Sequence, residues 1–282
     1  MILSLVRRNI KLYFRDKASV FFSMLSVIII IGLYVLFLGK MVQGSGDFAG
    51  EAARFLTDSW IMAGVIATAT VTTTLGALGQ MVDDLTKKIN RDFETAPIDR
   101  WKIVISYAIS SNVIGILMSS FTFVLAEVYI VAYGGEIVGF IALLQILGLI
   151  ILSTITSSAF LFFFVSMLKT MNSFSIISTI VGTIIGFLMG IYVPIGALPT
   201  AIQGFIKVFP PSHMASLLRQ VMVNEVVAME YLPREVSEML GIQFYFGDTV
   251  TSQFSSIMIL VTTTLVFFGL SVLIVSKRKR EA

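Results

Sequence analysis

Three absences narrow the classes of protein that this sequence can encode. The 282 residues contain no cysteine and a single histidine, His213. Disulfides and thiolate metal sites are therefore excluded, and zinc or haem sites built on several histidines are disfavoured. No G-x-x-x-x-G-K-[ST] run occurs, so the chain has no P-loop with which to bind and hydrolyse ATP itself.

Charge is also scarce. Asp, Glu, Lys and Arg make up 13% of the residues, hydrophobic residues make up 56%, and the mean hydropathy is +0.92. A soluble domain is roughly one quarter charged. A bilayer core takes about 20 apolar helical residues, and these apolar runs are continuous rather than alternating. The sequence predicts an all-α polytopic membrane protein with six transmembrane helices, at residues 20–38, 60–82, 103–131, 138–168, 174–193 and 256–275.

The basic residues predict the orientation of these spans. With the N-terminus inside, only Lys40, Arg54, Lys207, Arg219 and Arg234 of the 20 basic residues fall outside. The positive-inside rule then places both termini in the cytoplasm of a multi-pass protein of the cell membrane. The net charge of +3 follows from this bias, so it requires no nucleic-acid partner.

The first 17 residues have a helical pattern of their own. Apolar residues recur at a spacing of three to four, while Arg7, Arg8, Lys11 and Arg15 occupy other faces. This pattern predicts an amphipathic N-terminal interfacial helix lying on anionic lipid headgroups. The alternative is a charged tail that only sets the topology.

A charged segment, residues 80–102, separates the second and third apolar runs. Leu85, Ile89, Phe93 and Ala96 repeat every three or four residues. This spacing predicts a short amphipathic helix over residues 83–97, which begins at Asp83 or Asp84 and is stopped by Pro97. On composition alone, a solvated cytoplasmic loop is the alternative.

The run KINRDFETAPIDRWKIVISY at residues 88–107 resembles the cytoplasmic loop of type-2 ABC exporter permeases. There a charged helix leads to a small residue, a proline, a basic residue and the next span. Arg91, Asp92 and Phe93 stand where that family usually has Gly-Thr-Leu. The resemblance implies a cytoplasmic coupling helix that contacts an ATPase through Asp84, Lys87, Lys88, Arg91, Asp92, Phe93, Glu94, Pro97 and Arg100.

A second similarity lies at residues 186–219, where prolines and a Leu-Pro pair follow the fifth span and precede Arg219. Residues 201–208 are apolar but too short to span a bilayer. They predict an outer re-entrant helical segment, within an extracellular region at residues 194–251 whose later part is charged. The resemblance covers essentially the whole chain, 1–282, as a single transmembrane domain.

The resemblance implies a permease subunit of an ATP-driven exporter, with no enzyme activity and no bound cofactor of its own. Two copies of an ABC ATPase would bind ATP and Mg, and a second permease, identical or different, would complete the complex. A hydrophobic drug, an antimicrobial peptide or a lipid-like molecule is the expected substrate. Gly182, Gly186 and Gly190 recur at four-residue spacing and predict a dimer interface, with packing inside the chain as the alternative.

Polar residues inside the predicted spans are candidates for the transport pathway. Thr72, Asn112 and Glu127 are the residues selected, because polar groups in lipid mark functional sites. Hydroxyls that only pack between helices, and a Glu127 that reaches the outer interface, are the alternatives. Two other functions stay open: a lipid-linked glycan exporter, and a proton-coupled carrier that uses Glu127. His213 is expected in an ordinary outer turn.

Overall fold

The computed structural model describes residues 1–34, 36, 51–89 and 98–277 as a bundle of long helices. The α-helices within these residues are α1 Ile2–Arg15, α2 Lys17–Leu33, α3 Glu51–Thr86, α4 Arg100–Ala132, α5 Phe140–Ser166, α6 Met171–Leu188, α7 Thr200–Val208, α8 Pro210–Asn224, α9 Arg234–Met239 and α10 Gln253–Lys277. Two 3-10 helices, Ile195–Ala197 and Met229–Tyr231, and a small antiparallel hairpin, β1 Tyr245–Phe246 with β2 Thr249–Val250, lie between α6 and α10. The predicted all-α class is confirmed.

Five helices among the described residues are long and apolar enough to cross a membrane. They are Arg54–Thr86, Trp101–Ala132, Phe140–Ser166, Met171–Leu188 and Gln253–Ser271. These correspond to the second through sixth predicted spans, so the multi-pass architecture is confirmed. α2 has 17 residues and covers most of the first predicted span. The end of that prediction lies outside the described residues, so the count of six stays a prediction.

The two ends of the bundle are defined by different elements. At the basal end, α1 meets the C-terminal end of α3 and the N-terminal part of α4. At the distal end lie α7, α8, α9 and the β-hairpin, beside the C-terminal end of α6. All the sites described below are located relative to these two ends.

A short break at Asp16 separates α1 from α2 at the basal end. The Asp16 carboxylate accepts hydrogen bonds from the backbone N–H groups of Ala18 and Ser19, both at 3.1 Å, and from the Ser19 hydroxyl at 2.6 Å. These bonds satisfy donors that the first turn of α2 leaves unpaired. The Ser19 hydroxyl and backbone N–H also lower the pKa of the Asp16 carboxyl. Asp16 therefore carries a negative charge at the start of α2.

α3 is the central helix of the bundle. Its apolar window is 89% buried, against 17% for α6, because α3 packs on α2, α4, α5, α6 and α8. Small residues allow α3, α4 and α5 to approach closely: a Cβ atom on Gly115 would lie 2.5 Å from Thr74 Oγ1 and 2.6 Å from Thr154 Cγ2. The close approach gives dispersion contacts where the hydrophobic effect cannot hold helices together in lipid.

The hydroxyls of these central helices mostly bond within the protein. Thr70, Thr73 and Thr74 donate to carbonyl groups of α3 itself, and Ser111 of α4 pairs with Ser158 of α5 at 2.9 Å. Such bonds satisfy a hydroxyl in an apolar environment at little cost. They support the packing role for this subset of the predicted polar residues.

The distal segment differs from its predicted exposure to water. α7 has the expected short helix, but α8 is buried between α3, α5 and α10, and its residues 211–220 are all buried. His213 is likewise wholly buried rather than in a turn, with Nδ1 3.1 Å from Ser256 Oγ and Nε2 3.0 Å from the Lys207 carbonyl oxygen. The helix was missed because Pro210 occupies its first position, where proline is favoured and does not break a helix.

Gly190 lies beyond the end of α6 and does not belong to a helix face. Its φ is +65°, and the bonds from Gly190 N to Phe187 O (3.0 Å) and from Ile191 N to Gly186 O (2.9 Å) form a Schellman motif. The predicted row of three glycines on one helix is therefore wrong at Gly190, because that residue ends the helix.

Replacing Gly190 with alanine is expected to destabilise the protein by about 1–3 kcal/mol, since alanine is strained at this φ. Its Cβ would also lie 2.6 Å from Ile195 Cγ1. The thermal unfolding midpoint of the detergent-solubilised protein measures the loss. Gly148→Ala in α5 is the control, because a Cβ there meets nothing within 4 Å. Equal midpoints for the two variants would contradict this account of Gly190.

Candidate functional site

A buried carboxylate, Asp84, joins three helices at the basal end. Its side chain is 1% exposed and forms a bidentate ion pair with Arg8 of α1, with N–O distances of 2.6 and 3.0 Å. The Tyr107 hydroxyl of α4 donates to it at 2.5 Å, and the Gln80 amide donates at 2.9 Å. We call these four residues the Asp84 node. A charge this deeply buried is stable only with such complete hydrogen bonding.

The Asp84 node holds α1 against the bundle. Hydrogen bonding to the Asp84 carboxylate raises the pKa of Arg8, so the ion pair is maintained across the physiological range. Asn9 adds a 3.4 Å bond to Ser110 of α4, and Tyr13 pairs with Ser23 of α2 at 2.5 Å. One face of α1 is thus docked on protein, while Arg7, Lys11 and Arg15 are exposed on the remaining surface. The amphipathic helix was predicted, and its docked polar face was not.

The residues predicted for ATPase coupling are distributed over several environments. Asp84 does not start a new helix, because α3 continues to Thr86. Its carboxylate is also buried, so it is not an exposed contact. Lys87 is exposed and pairs with Asp83 at 2.8 Å. Residues 90–97, which include Arg91, Asp92, Phe93, Glu94 and Pro97, lie outside the described residues, and of Arg100 only the backbone is described, as the first residue of α4.

Lys88 has an unusual backbone conformation just beyond α3. Its φ is +62°, and it is the one described residue other than glycine with a positive φ. This left-handed conformation ends the helix at a position where glycine would be less strained. Strain of this kind is found at functional turns. The chain therefore leaves α3 in a defined direction at the start of the predicted coupling segment.

A cleft of about 710 Å³ lies between α2, α3 and α6, and we call it the α2/α3/α6 cleft. It extends from Asp16, Asp83 and Lys87 at the basal end to Thr72 and Tyr192. Its volume is in the range of small-molecule sites, and its wall combines apolar side chains with hydroxyls. Of the three predicted pathway residues, Thr72 lines this cleft, whereas Glu127 and Asn112 are not among its lining residues.

Glu127 lies near the distal end of α4, and its contacts support a role in anchoring. Its Oε2 accepts a hydrogen bond from Val138 N at 3.2 Å, while Glu225 Oε2 accepts from Gly139 N at 2.7 Å. Both backbone groups lie at the start of α5, where helices attract negative charge. Asn112, in α4, has a buried Oδ1 without a hydrogen-bond partner in the described structure.

The glycines predicted for a dimer interface are not equivalent. Gly186 is covered by Tyr192, whose ring would lie 2.3 Å from an added Cβ, and Gly190 ends the helix. Gly182 faces open space within the α2/α3/α6 cleft. Packing within the chain therefore accounts for the first two glycines, and Gly182 alone stays a candidate for contact with another molecule.

Two buried charged residues were missed by sequence reasoning. Asp58 in α3 is 1% exposed and accepts a hydrogen bond from Tyr34 at 2.5 Å. Arg219 in α8 is 0% exposed and donates to the carbonyl groups of Met189 and Gly190 at the end of α6. Asp58 lies just before the predicted second span, and Arg219 was assigned to a watery segment. A charge next to an apolar run was the available signal for Asp58.

Long buried spans, a docked amphipathic helix and a charged segment at one end define the chain as the membrane-embedded component of a transport system. A family model described as ABC-2 type transporter matches residues 1–223. The chain therefore belongs to the ABC-2 type transporter family. It is a permease of an ABC transporter, and the family implies a separate ATPase partner. Comparison with curated proteins found no match.

Proposed function

We propose that the chain is the permease subunit of an ATP-driven exporter and that its basal end is the cytoplasmic face, where the ATPase binds. The observation that carries this proposal is the Asp84 node, which ties α1, α3 and α4 together directly beside the charged segment 87–100. The basic residues of α1 and of this segment lie at the same end, as the positive-inside rule expects of a cytoplasmic face.

The Asp84 node explains how a push from the ATPase would reach the spans. Segment 87–100 connects the ends of α3 and α4, and the node joins both helices to α1, which continues into α2 through Asp16. Displacement of the segment therefore moves α1, α3 and α4 as one body instead of bending a single loop. Rigid-body movement of this kind is a common way to open and close a transport path.

The α2/α3/α6 cleft is the proposed site of substrate passage. It has the apolar wall and dispersed hydroxyls that suit a drug, an antimicrobial peptide or another amphipathic molecule. α6 is the least buried of the five spans, which favours a second permease subunit on that side. In the assembled exporter, two ATPase subunits would bind ATP and Mg, and this chain would bind neither.

The test of this proposal is affinity purification of the tagged chain from its native membranes, with mass spectrometry of the proteins that accompany it. We expect a stoichiometric P-loop ATPase, which is lost when Lys88 and Arg91 are replaced with glutamate. Reversal of an exposed distal charge, Arg234→Glu, is the control and leaves the ATPase bound. If folded wild-type chain carries no ATPase, the exporter proposal fails and a proton-coupled carrier becomes the better hypothesis.

A further inference from the structure

The α2/α3/α6 cleft has a charged mouth and a closed inner end. Asp16, Asp83 and Lys87 line the mouth. Along α3 the mouth is separated from Thr72 by 11 residues, which corresponds to about 16 Å of helix. Between them the wall includes Leu75, Phe174 and Phe187. A ligand that fills this space is elongated and largely apolar, with a polar group at the mouth.

The charges at the mouth favour a positive polar group. Lys87 Nζ lies 2.8 Å from Asp83 Oδ2, so that pair is internally neutralised and Asp16 leaves one formal negative charge. The Asp16 carboxylate is exposed and is held charged by its bonds at the start of α2. The rings of Tyr13 and Phe22 line the same cleft and can contact a cation through their faces.

The inner part of the cleft contains hydroxyls that lack partners. Thr72 is 9% exposed, and its Oγ1 forms no hydrogen bond in the described structure. The neighbouring α3 threonines Thr70, Thr73 and Thr74 all donate to carbonyl groups. Ser178 Oγ, on the α6 wall, is also buried and unpaired. An unpaired buried hydroxyl costs free energy that a ligand acceptor would recover.

We propose that the α2/α3/α6 cleft binds an elongated amphipathic cation, with its positive head group beside Asp16 and Asp83 and a hydrogen-bond acceptor at its far end beside Thr72. This names the substrate class of the cleft and so rests on the proposed function. Binding by the chain alone, without the ATPase, separates the two: a failure to bind overturns this inference and leaves the ATPase assembly untouched.

The head group is tested with the purified chain in phosphatidylcholine nanodiscs, with empty nanodiscs as background. Radiolabelled dodecyltrimethylammonium is the probe, and dodecyl sulfate is the competitor. We expect saturable binding of the cation that weakens about five-fold in the Asp16→Asn/Asp83→Asn variant, since each exposed pair contributes modestly. The same variant should bind dodecyl sulfate more tightly, because Lys87 becomes unpaired. Asp99→Asn, a basal carboxylate outside the cleft, is the control. Equal binding of both head groups by the wild type overturns the proposal.

The far end is tested with the same cation bearing a terminal hydroxyl. The added hydroxyl should tighten binding about five-fold through Thr72, and Thr72→Val should remove that gain while leaving the parent cation unaffected. Thr154→Val is the matched control, because its Oγ1 is also buried and unpaired but lies outside the cleft. A gain that survives Thr72→Val contradicts the proposed orientation.

A steric variant distinguishes a ligand from a second copy of the chain in the cleft. Gly182 faces open space, so Gly182→Leu fills the cleft without a clash inside the chain. We expect it to abolish cation binding, whereas Gly148→Leu, equally open but on α5, leaves binding intact. If Gly182→Leu changes only the oligomeric state measured by mass photometry and leaves binding intact, a second subunit occupies the cleft and the proposal is overturned.

Discussion

Replacing Asp84 with asparagine is expected to destabilise the protein by about 3 kcal/mol and to uncouple ATP hydrolysis from transport. The loss arises because Arg8 would face a neutral side chain in a site from which water is largely excluded. Without the ion pair, α1 would no longer move with α3 and α4. The measurements are the thermal unfolding midpoint of the chain and, in the complex with its ATPase, the ratio of transport to ATP hydrolysis.

The matched control for the Asp84 node is Arg7→Gln, which removes one positive charge from an exposed position of the same helix. It should leave the midpoint and the coupling ratio unchanged, whereas Arg8→Gln should reproduce most of the effect of Asp84→Asn. Equal effects of the Arg7 and Arg8 variants would show that only the net charge of α1 matters.

A disulfide can separate docking from simple stability. The chain has no cysteine, and Asn9 and Ser110 contact each other between α1 and α4 at 3.4 Å. Cysteines at these two positions, oxidised in the Asp84→Asn background, should restore the coupling ratio if α1 acts as part of one rigid body. Restored stability without restored coupling would contradict that role.

Removing the guanidinium of Arg219 is expected to have the largest effect on stability, at least about 4 kcal/mol for Arg219→Met. The side chain is wholly buried and donates to the carbonyl groups of Met189 (2.6 Å), Gly190 (3.2 Å), Gly241 (3.4 Å) and Trp60 (3.4 Å). Three of these groups lie at the C-terminal ends of α6 and α9, where the helix dipole is negative. Methionine would leave all four carbonyls without their donor.

The charge of Arg219 is stabilised without an acidic partner. Among the described residues no carboxylate forms an ion pair with it, and its guanidinium carbon lies 4.9 Å from the centroid of the Trp60 ring. Arg219→Lys should have an intermediate effect, because an ammonium group cannot reproduce the planar, branched set of donors.

Thermal unfolding and limited proteolysis of residues 225–250 would measure the Arg219 effect, since α9 should detach from the bundle. Arg234→Met is the control, because its side chain is 45% exposed and binds only at the surface. A wild-type midpoint and wild-type protease resistance for Arg219→Met would show that the carbonyl groups find other donors.

The sequence was most informative where a pattern depends on local geometry. Long apolar runs predicted the five confirmed spans, because a helix must be apolar over its whole length to cross a bilayer. The repeat in residues 1–17 predicted α1 for the same reason. Local patterns misjudged α8 and Gly190, whose environments depend on neighbours more than 20 residues away in sequence.

By itself, the sequence determined that this is an α-helical membrane permease without a nucleotide site, since composition, apolar run length and the missing P-loop are properties of the chain alone. Only the tertiary structure decided which polar groups act together. The Asp84 node joins residues 76 and 23 positions apart, and Arg219 reaches groups from 22 to 159 positions away. Burial makes those contacts strong, and burial arises only when distant helices pack against one another.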